Sequence, residues 1–190
     1  KYNSLNDNVV AIDGEGKATR RTFDGLSRLI GTKYDDGGLN IQVLQGWDGN
    51  SRMLNQTDAN GNRTAYAYTS RDQPNLITYA DGTTKGMTYT KTDQVKTVED
   101  ANGNRVANFY DSVDLLFRRE VQRGAGVVGT TMEEYAWDGA YRNTLARNWD
   151  GPELISEVRT AYDTLSNADK VEERYGTFSA KAILSTFDGT

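Results

Sequence analysis

Apolar and polar residues alternate along this chain in short runs, each broken by a cluster of Asp, Asn and Gly. Thr64-Ala65-Tyr66-Ala67-Tyr68 puts Tyr66 and Tyr68 on one side of an extended segment, Met87 and Tyr89 repeat the arrangement, and so do Tyr135 and Trp137. The interruptions include Asp13-Gly14-Glu15-Gly16, Asp58-Ala59-Asn60-Gly61-Asn62, Ala80-Asp81-Gly82-Thr83 and Asp100-Ala101-Asn102-Gly103-Asn104. Short polar side chains bond the local backbone and tolerate positive φ, as tight turns require. The pattern predicts an all-β chain of about 16 to 18 strands joined by turns. Leu29, Leu54, Val98, Leu116, Leu145, Val171, Tyr66 and Tyr135 are the expected inner rows. One hairpin of this size is not stable alone in water, so neighbouring hairpins must pair edge to edge into one antiparallel sheet.

The alternation is itself periodic. An aromatic residue, usually followed by Asp and a few positions later by an apolar residue, recurs at Tyr2, Phe23, Trp47, Tyr68, Tyr89, Tyr110, Trp137, Tyr162 and Phe187, in steps of 21, 24, 21, 21, 21, 27, 25 and 25. The adjacent carboxylates are Asp24, Asp48, Asp111, Asp138, Asp163 and Asp188, and Arg28, Arg52 and Arg142 follow their aromatic by five positions. Tyr68-Thr69 and Tyr89-Thr90 have lost the adjacent Asp, and the longest step carries the insert Gly124-Ala125-Gly126-Val127-Val128-Gly129. One repeat array is expected over residues 1–190. The chain begins and stops at the same phase of the unit, which reads as a fragment of a longer array with open strand edges that other copies could pair with.

Composition sharpens this. Hydrophobic residues make up 36% and mean hydropathy is −0.72, so burial must be thin and distributed. Eleven Tyr, five Phe and three Trp beside only two Pro argue against a disordered chain. There is no Cys and no His, which excludes thiol nucleophiles, imidazole bases and Cys/His zinc sites. The net charge of −5 with scattered basic residues does not suit nucleic acid or anionic lipid, and no apolar run is long enough to span a bilayer. No catalytic residue, metal or cofactor is expected.

Three kinds of residue invite a sharper chemical reading. Asp58, Asn60 and Asn62, or Asp100, Asn102 and Asn104, are spaced like the start of an EF-hand. The loop then fails, with Arg63 or Arg105 at the sixth position and Thr69 or Asp111 at the twelfth. Glu133-Glu134, Glu172-Glu173 and Glu99-Asp100 are adjacent carboxylates, but neighbours in a strand point to opposite faces and cannot converge as acid and base. Trp47 and Trp137 offer faces on which a glycan could stack. Recurrence in nearly every unit favours a structural role instead: rings packed in a ladder, carboxylates and Gly61 and Gly103 building turns, and arginines stacking on rings or pairing with turn carboxylates.

Phe23 to Leu29, Trp47 to Leu54 and Asp58 to Asn62 resemble the unit of the YD-repeat, or Rhs, family, with Ser27, Ser51 and Tyr141 where that unit usually has Gly. The resemblance implies a long β-ribbon coiling into a hollow shell, as in bacterial Rhs proteins, toxin-complex C components and teneurins. In the bacterial toxins it implies enclosure of a toxic C-terminal domain, in a secreted or cell-surface protein whose partners are the rest of its own polypeptide and the enclosed cargo. The family's Asp-Pro-x-x-Gly core-end motif, plug and toxin tail are not in this stretch. A surface adhesion or carbohydrate-binding module and a self-assembling filament are the alternatives.

Overall fold

The structural unit is a five-residue turn. In Asp24-Gly25-Leu26-Ser27-Arg28, the amide of Asp24 donates to the carbonyl of Arg28 (3.0 Å) and that of Ser27 to the carbonyl of Asp24 (3.1 Å). Ser27 sits at φ +57. This is a tight turn closed by a residue in the left-handed region, which re-aims the chain into an antiparallel hairpin. Among the residues described by this computed structural model, 1–35, 40–178 and 180–184, the same pair of bonds recurs in twelve turns. They begin at Asn3, Asp13, Asp24, Asp48, Asp58, Thr69, Tyr79, Thr90, Asp100, Asp111, Asp138 and Asp163. Phe187 and Asp188 lie outside the described residues.

The chain divides into two compact units, 1–86 and 87–190, and the boundary falls inside a strand. The first unit holds β1 (Val10–Ile12), β2 (Ala18–Phe23), β3 (Leu29–Asp35), β4 (Asn40–Trp47), β5 (Met53–Thr57), β6 (Arg63–Tyr68), β7 (Pro74–Thr78) and the start of β8 (Thr84–Tyr89). The second holds the rest of β8, then β9 (Val95–Glu99), β10 (Arg105–Tyr110), β11 (Leu116–Gln122), β12 (Met132–Trp137), β13 (Asn143–Asp150), β14 (Glu153–Tyr162), β15 (Ala168–Tyr175) and β16 (Lys181–Leu184). Strand order is sequence order and every pairing is antiparallel. The fold is the expected all-β hairpin array, an open sheet.

Turns alternate between two rims of each unit. On one rim lie the turns that follow the aromatic marks; on the other lie those beginning at Asp13, Asp58, Tyr79 and Asp100. The left-handed position on the second rim is always glycine: Gly16, Gly61, Gly82 and Gly103. On the aromatic rim it never is: Asn6, Ser27, Ser51, Asp72, Asp93, Asp114, Tyr141 and Ser166 all carry side chains there. Each such residue costs about 1 kcal/mol relative to relaxed backbone, a strain that glycine would avoid.

Just after six of the aromatic turns the ladder skips a residue. Thr22 pairs with Gly31 but Phe23 with Leu29, leaving Ile30 extra. Leu54, Asn75, Phe117, Thr144 and Asp169 are extra in the same way. Such bulges bend the bulged strand and increase its twist; these six fall on the strand leaving an aromatic turn, and a seventh, at Ile155, follows the turn between β13 and β14.

A single layer leaves little to bury. Among the described residues Ala18 is the one buried hydrophobic side chain, with Thr32 and Glu157 the buried polar ones. Most of the expected inner-row residues are half-buried, but two expectations are corrected. Leu54 is 39% exposed because it is a bulge residue. Leu145 lies on the opposite face from Tyr135, since Tyr135 pairs with Ala146 and Leu145 with Ala136.

Tyr141 is at φ +61 and 62% exposed; its amide closes the turn onto Asp138, but its side chain makes no hydrogen bond among the described residues. Tyr141→Gly is therefore expected to raise the thermal midpoint, by up to about 1 kcal/mol of stability. The same change at Asp72 or Ser166, whose side chains are hydrogen-bonded, is expected to lower it; thermal unfolding followed by circular dichroism separates the two.

Candidate functional site: the joints between repeats

After a glycine-rim turn, backbone pairing runs for only a few residues before the strands part toward the aromatic rim. Asn55, Gln56 and Thr57 pair with Ala65, Thr64 and Arg63, and Met53 is left without a ladder partner on that side. The aromatic mark fills the gap. Tyr68 donates its hydroxyl to the carbonyl of Met53 (2.9 Å). Trp47 donates its indole N–H to Leu29 (2.8 Å), Tyr110 its hydroxyl to Val95 (2.9 Å), Trp137 its indole N–H to Leu116 (2.8 Å) and Tyr162 its hydroxyl to Asn143 (2.9 Å). In each case a side-chain donor replaces the missing backbone N–H at the point where the strands separate.

The rings do not form the expected ladder. The described ring pair is Phe109 with Phe117, neither of them a mark. The marks are a ring width further apart than stacking allows, because two strand spacings separate them. Rings meet guanidinium groups instead: Arg52 lies 5.2 Å from the centroid of Tyr68, and Arg142 4.7 Å from that of Tyr162.

The carboxylates build the turns. Asp24 Oδ1 accepts the amides of Leu26 and Arg28 (2.9 and 3.0 Å), and Asp48, Asp138, Asp163, Asp111, Asp58 and Asp100 make the equivalent pair. The second oxygen takes a side chain four residues on: Arg28, Arg52 or Arg142, or the amides of Asn62, Asn104 or Asn167. The Arg28 guanidinium holds Asp24 below the usual carboxylate range; the backbone amide of Arg52 does so for Asp48, that of Arg142 for Asp138, and the side-chain amides of Asn62 and Asn167 for Asp58 and Asp163. With both oxygens of Asp58 and Asp100 engaged this way, the turns spend their carboxylates on their own N–H groups. Gly61 and Gly103 supply the left-handed residues at φ +82 and +75. Where the Asp is lost, Thr69 and Thr90 take its place, their hydroxyls accepting the amides of Arg71 and Gln73, and of Thr92 and Gln94. Phe23 and Tyr89 end β2 and β8 at the same position as the other marks.

Each arginine then reaches forward to the next turn along the rim. Arg28 donates to the carbonyl of Asp48 (2.6 Å) and the hydroxyl of Ser51 (3.2 Å), Arg52 to the carboxylate of Asp72 (2.8 Å), and Arg142 to the carbonyl of Asp163 (3.0 Å) and the hydroxyl of Ser166 (3.1 Å). Asp7 accepts the hydroxyl of Ser27, and Thr92 donates to Asp114. The acceptors Ser51, Asp72, Asp114 and Ser166 are the left-handed residues, so the backbone cost on this rim is returned as a contact between repeats. Leu115, at the arginine position of its turn, has no polar side-chain atom to offer. There the insert ties the opposite rim: Gly124 donates to Asn104 (2.9 Å), packing so closely that a Cβ would lie 2.1 Å from the carbonyl of Asn102, and Arg123 pairs with Asp150 (2.9 Å).

In the second unit the face opposite the aromatic marks carries a row not anticipated from sequence. Arg118 pairs with Glu134, Glu134 with Arg147, Arg147 with Glu157 and Glu157 with Arg174 across five consecutive strands. Glu157 is 11% exposed at its side chain and accepts from Arg147 (2.6 Å) and Arg159 (2.8 Å). Arg159 chiefly, then Arg147, hold its carboxyl down at about 2, against the desolvation that opposes them. Of the adjacent carboxylates, Glu133 takes Arg119 and Tyr135 on one face, and Glu134 takes Trp149 on the other. Burial and the Glu133 carboxylate push Tyr135 up to about 12. Only pairing register reveals the row, because its members are scattered in sequence.

A single-layer array of β-hairpins, joined turn to turn by side chains at a fixed phase, defines a structural repeat protein. Residues 47–84 match the family model RHS Repeat. None of the curated proteins matches. Among solved structures, the chain is similar to TcdB2-TccC3-TEV, at 20% identity and a TM-score of 0.67 over 86% of this chain and 9% of that one. It is similar to a Photorhabdus luminescens Tc holotoxin pore with a mutated TccC3, at 17% identity and 0.57 over 84% and 11%, and to TcdB2-TccC3-Cdc42, at 12% and 0.56 over 90% and 12%. The likeness is one of fold, and this chain spans about a tenth of the length of those chains.

Tyr162→Phe removes the donor from Asn143 and is expected to cost about 1 kcal/mol. Tyr110→Phe should cost less, because the side chain of Asn108 also donates to Val95; paired chemical-denaturation curves measure the difference. Glu157, ordinarily near 4.5 and held here at about 2, is depressed in the folded chain. Its contribution is therefore complete above pH 4.5 and lost as pH falls toward 2. Glu157→Gln should flatten the acid dependence of the unfolding midpoint across that window.

Proposed function

We propose that this chain is a wall segment of an RHS-type shell that encloses and protects a cargo, a toxin domain carried C-terminally in the same polypeptide and secreted or displayed at a bacterial surface. The observation that carries the reading is where the chemistry that recurs at each phase of the repeat goes. The aromatic donors and arginines of the repeat are spent on joining one hairpin to the next and the turn carboxylates on closing each turn, which is what a wall requires and a ligand site does not. The bulges support it too, because six of them recur on the strand that leaves an aromatic turn, and bends repeated at one phase coil a ribbon in one sense. Likeness in fold to TcdB2-TccC3 structures agrees with a shell role. The mechanism is enclosure and needs no catalytic residue.

A glycan-binding module would need indole rings free to stack and donate. The N–H groups of Trp47, Trp137 and Trp149 are already given to Leu29, Leu116 and Glu134, which weighs against that alternative. Single-particle electron microscopy of the intact parent protein tests the reading. The expected result is a closed hollow particle with density inside; an open ribbon, a fibre or an empty scaffold would overturn it.

A further inference from the structure

Asn-Gly is the dipeptide most prone to deamidation, because glycine leaves the following amide nitrogen unhindered. That nitrogen attacks the side-chain Cγ of Asn and expels ammonia. The resulting succinimide takes up water and opens at either carbonyl, giving an aspartyl or an isoaspartyl product. The attack requires the glycine nitrogen to lose its proton and swing onto Cγ.

The chain has two such dipeptides, Asn60-Gly61 and Asn102-Gly103, both on exposed turns. In each, the repeat turn blocks the reaction. The amide of Gly61 donates to the carbonyl of Asp58 (3.0 Å) and that of Gly103 to the carbonyl of Asp100 (3.1 Å), so the nucleophile is committed away from the side chain it would attack. The backbone on the other side is pinned as well, since the amides of Asn60 and Asn102 donate to Asp58 Oδ1 and Asp100 Oδ1 (2.9 and 2.8 Å). Gly61 and Gly103 are held in the left-handed region, at φ +82 and +75. Around Asn102 the insert adds a second restraint, with Gly124 pressed against the Asn102 carbonyl.

We infer that Asn60 and Asn102 are latent deamidation sites, closed by the repeat turn while the chain is folded and opened when the turn is lost, so that unfolding is recorded as a covalent change. The turn depends on the left-handed glycine and on the preceding Asp. An isoaspartyl product lengthens the backbone by one carbon at the third turn residue, and that backbone no longer fits the pair of bonds that closes the turn. The mark thus blocks the refolding of the hairpin that carries it.

The test is peptide mapping of the intact chain held in mildly alkaline buffer, folded or in denaturant, with isoaspartate scored by fragmentation. In the folded chain both asparagines are expected to convert at least about tenfold more slowly than in denaturant, as protection by a closed local structure requires. Asp58→Ala removes the acceptor for Asn60 and Asn62 without touching the second turn. It is expected to speed conversion at Asn60 several-fold while Asn102, in the same molecule, stays slow; circular dichroism confirms that the sheet persists. Equal rates in folded and denatured wild-type chain, or no change at Asn60 in a folded Asp58→Ala chain, would overturn the inference. Should Asp58→Ala unfold, Asn62→Ala, which removes only the side-chain bond to Asp58, serves as the milder variant and is expected to raise the rate at Asn60 alone; no change there would equally overturn it.

Discussion

A sheet one layer thick has no interior in which to hide an unpaired carbonyl, and it has almost no apolar burial to compensate for one. The governing constraint in this molecule is therefore the point where strands part. Bulges after the aromatic turns make parting unavoidable, and each parting exposes a main-chain acceptor. The indole or phenol at the end of the following strand donates to it. Hydrogen-bond satisfaction, which in a globular domain accompanies the hydrophobic core, here replaces it as the element on which neighbouring hairpins depend.

The two rims solve one turn geometry in two ways. On the rim where nothing further is asked of the turn, glycine takes the left-handed position without strain. On the rim where repeats must be fastened together, Ser and Asp accept that strain, and their side chains catch the arginine of the preceding turn. At Ser51, Asp72, Asp114 and Ser166 the left-handed residue is the receiving half of a contact. The alternating charges across β11 to β15 apply a related logic on a sheet face, where a shift in pairing would place carboxylates and guanidiniums against the wrong neighbours.

Strand content, turn positions and repeat phase were legible from the spacing of Tyr, Trp, Asp and Gly, because each marks local backbone geometry. The use of the aromatic ring was harder to read. Alternation places Tyr66 and Tyr68 on one face but does not distinguish packing from hydrogen bonding. The signal that could have done so is that Trp and Tyr, both donors, fill most marks while Phe fills few. Leu54 and Leu145 were misplaced for one reason: a bulge adds a residue and inverts the inside-outside count for the rest of the strand. The Arg118 to Arg174 row was invisible because register between strands is not written in any one of them.

The forward reach of Arg28, Arg52 and Arg142 has a consequence for how such arrays change over generations. Each of these three repeats carries a donor for its successor, and the successor presents its acceptor in the same frame, at Ser51, Asp72 or Ser166. Excising or duplicating one whole unit by unequal crossover would still bring a guanidinium to a waiting oxygen, since the new neighbours are matched as the old ones were. Genetic drift in length is thus structurally cheap at any boundary of this kind, and expensive at the Leu115 junction, where the tie runs instead through a glycine insert that has no counterpart elsewhere among the described residues.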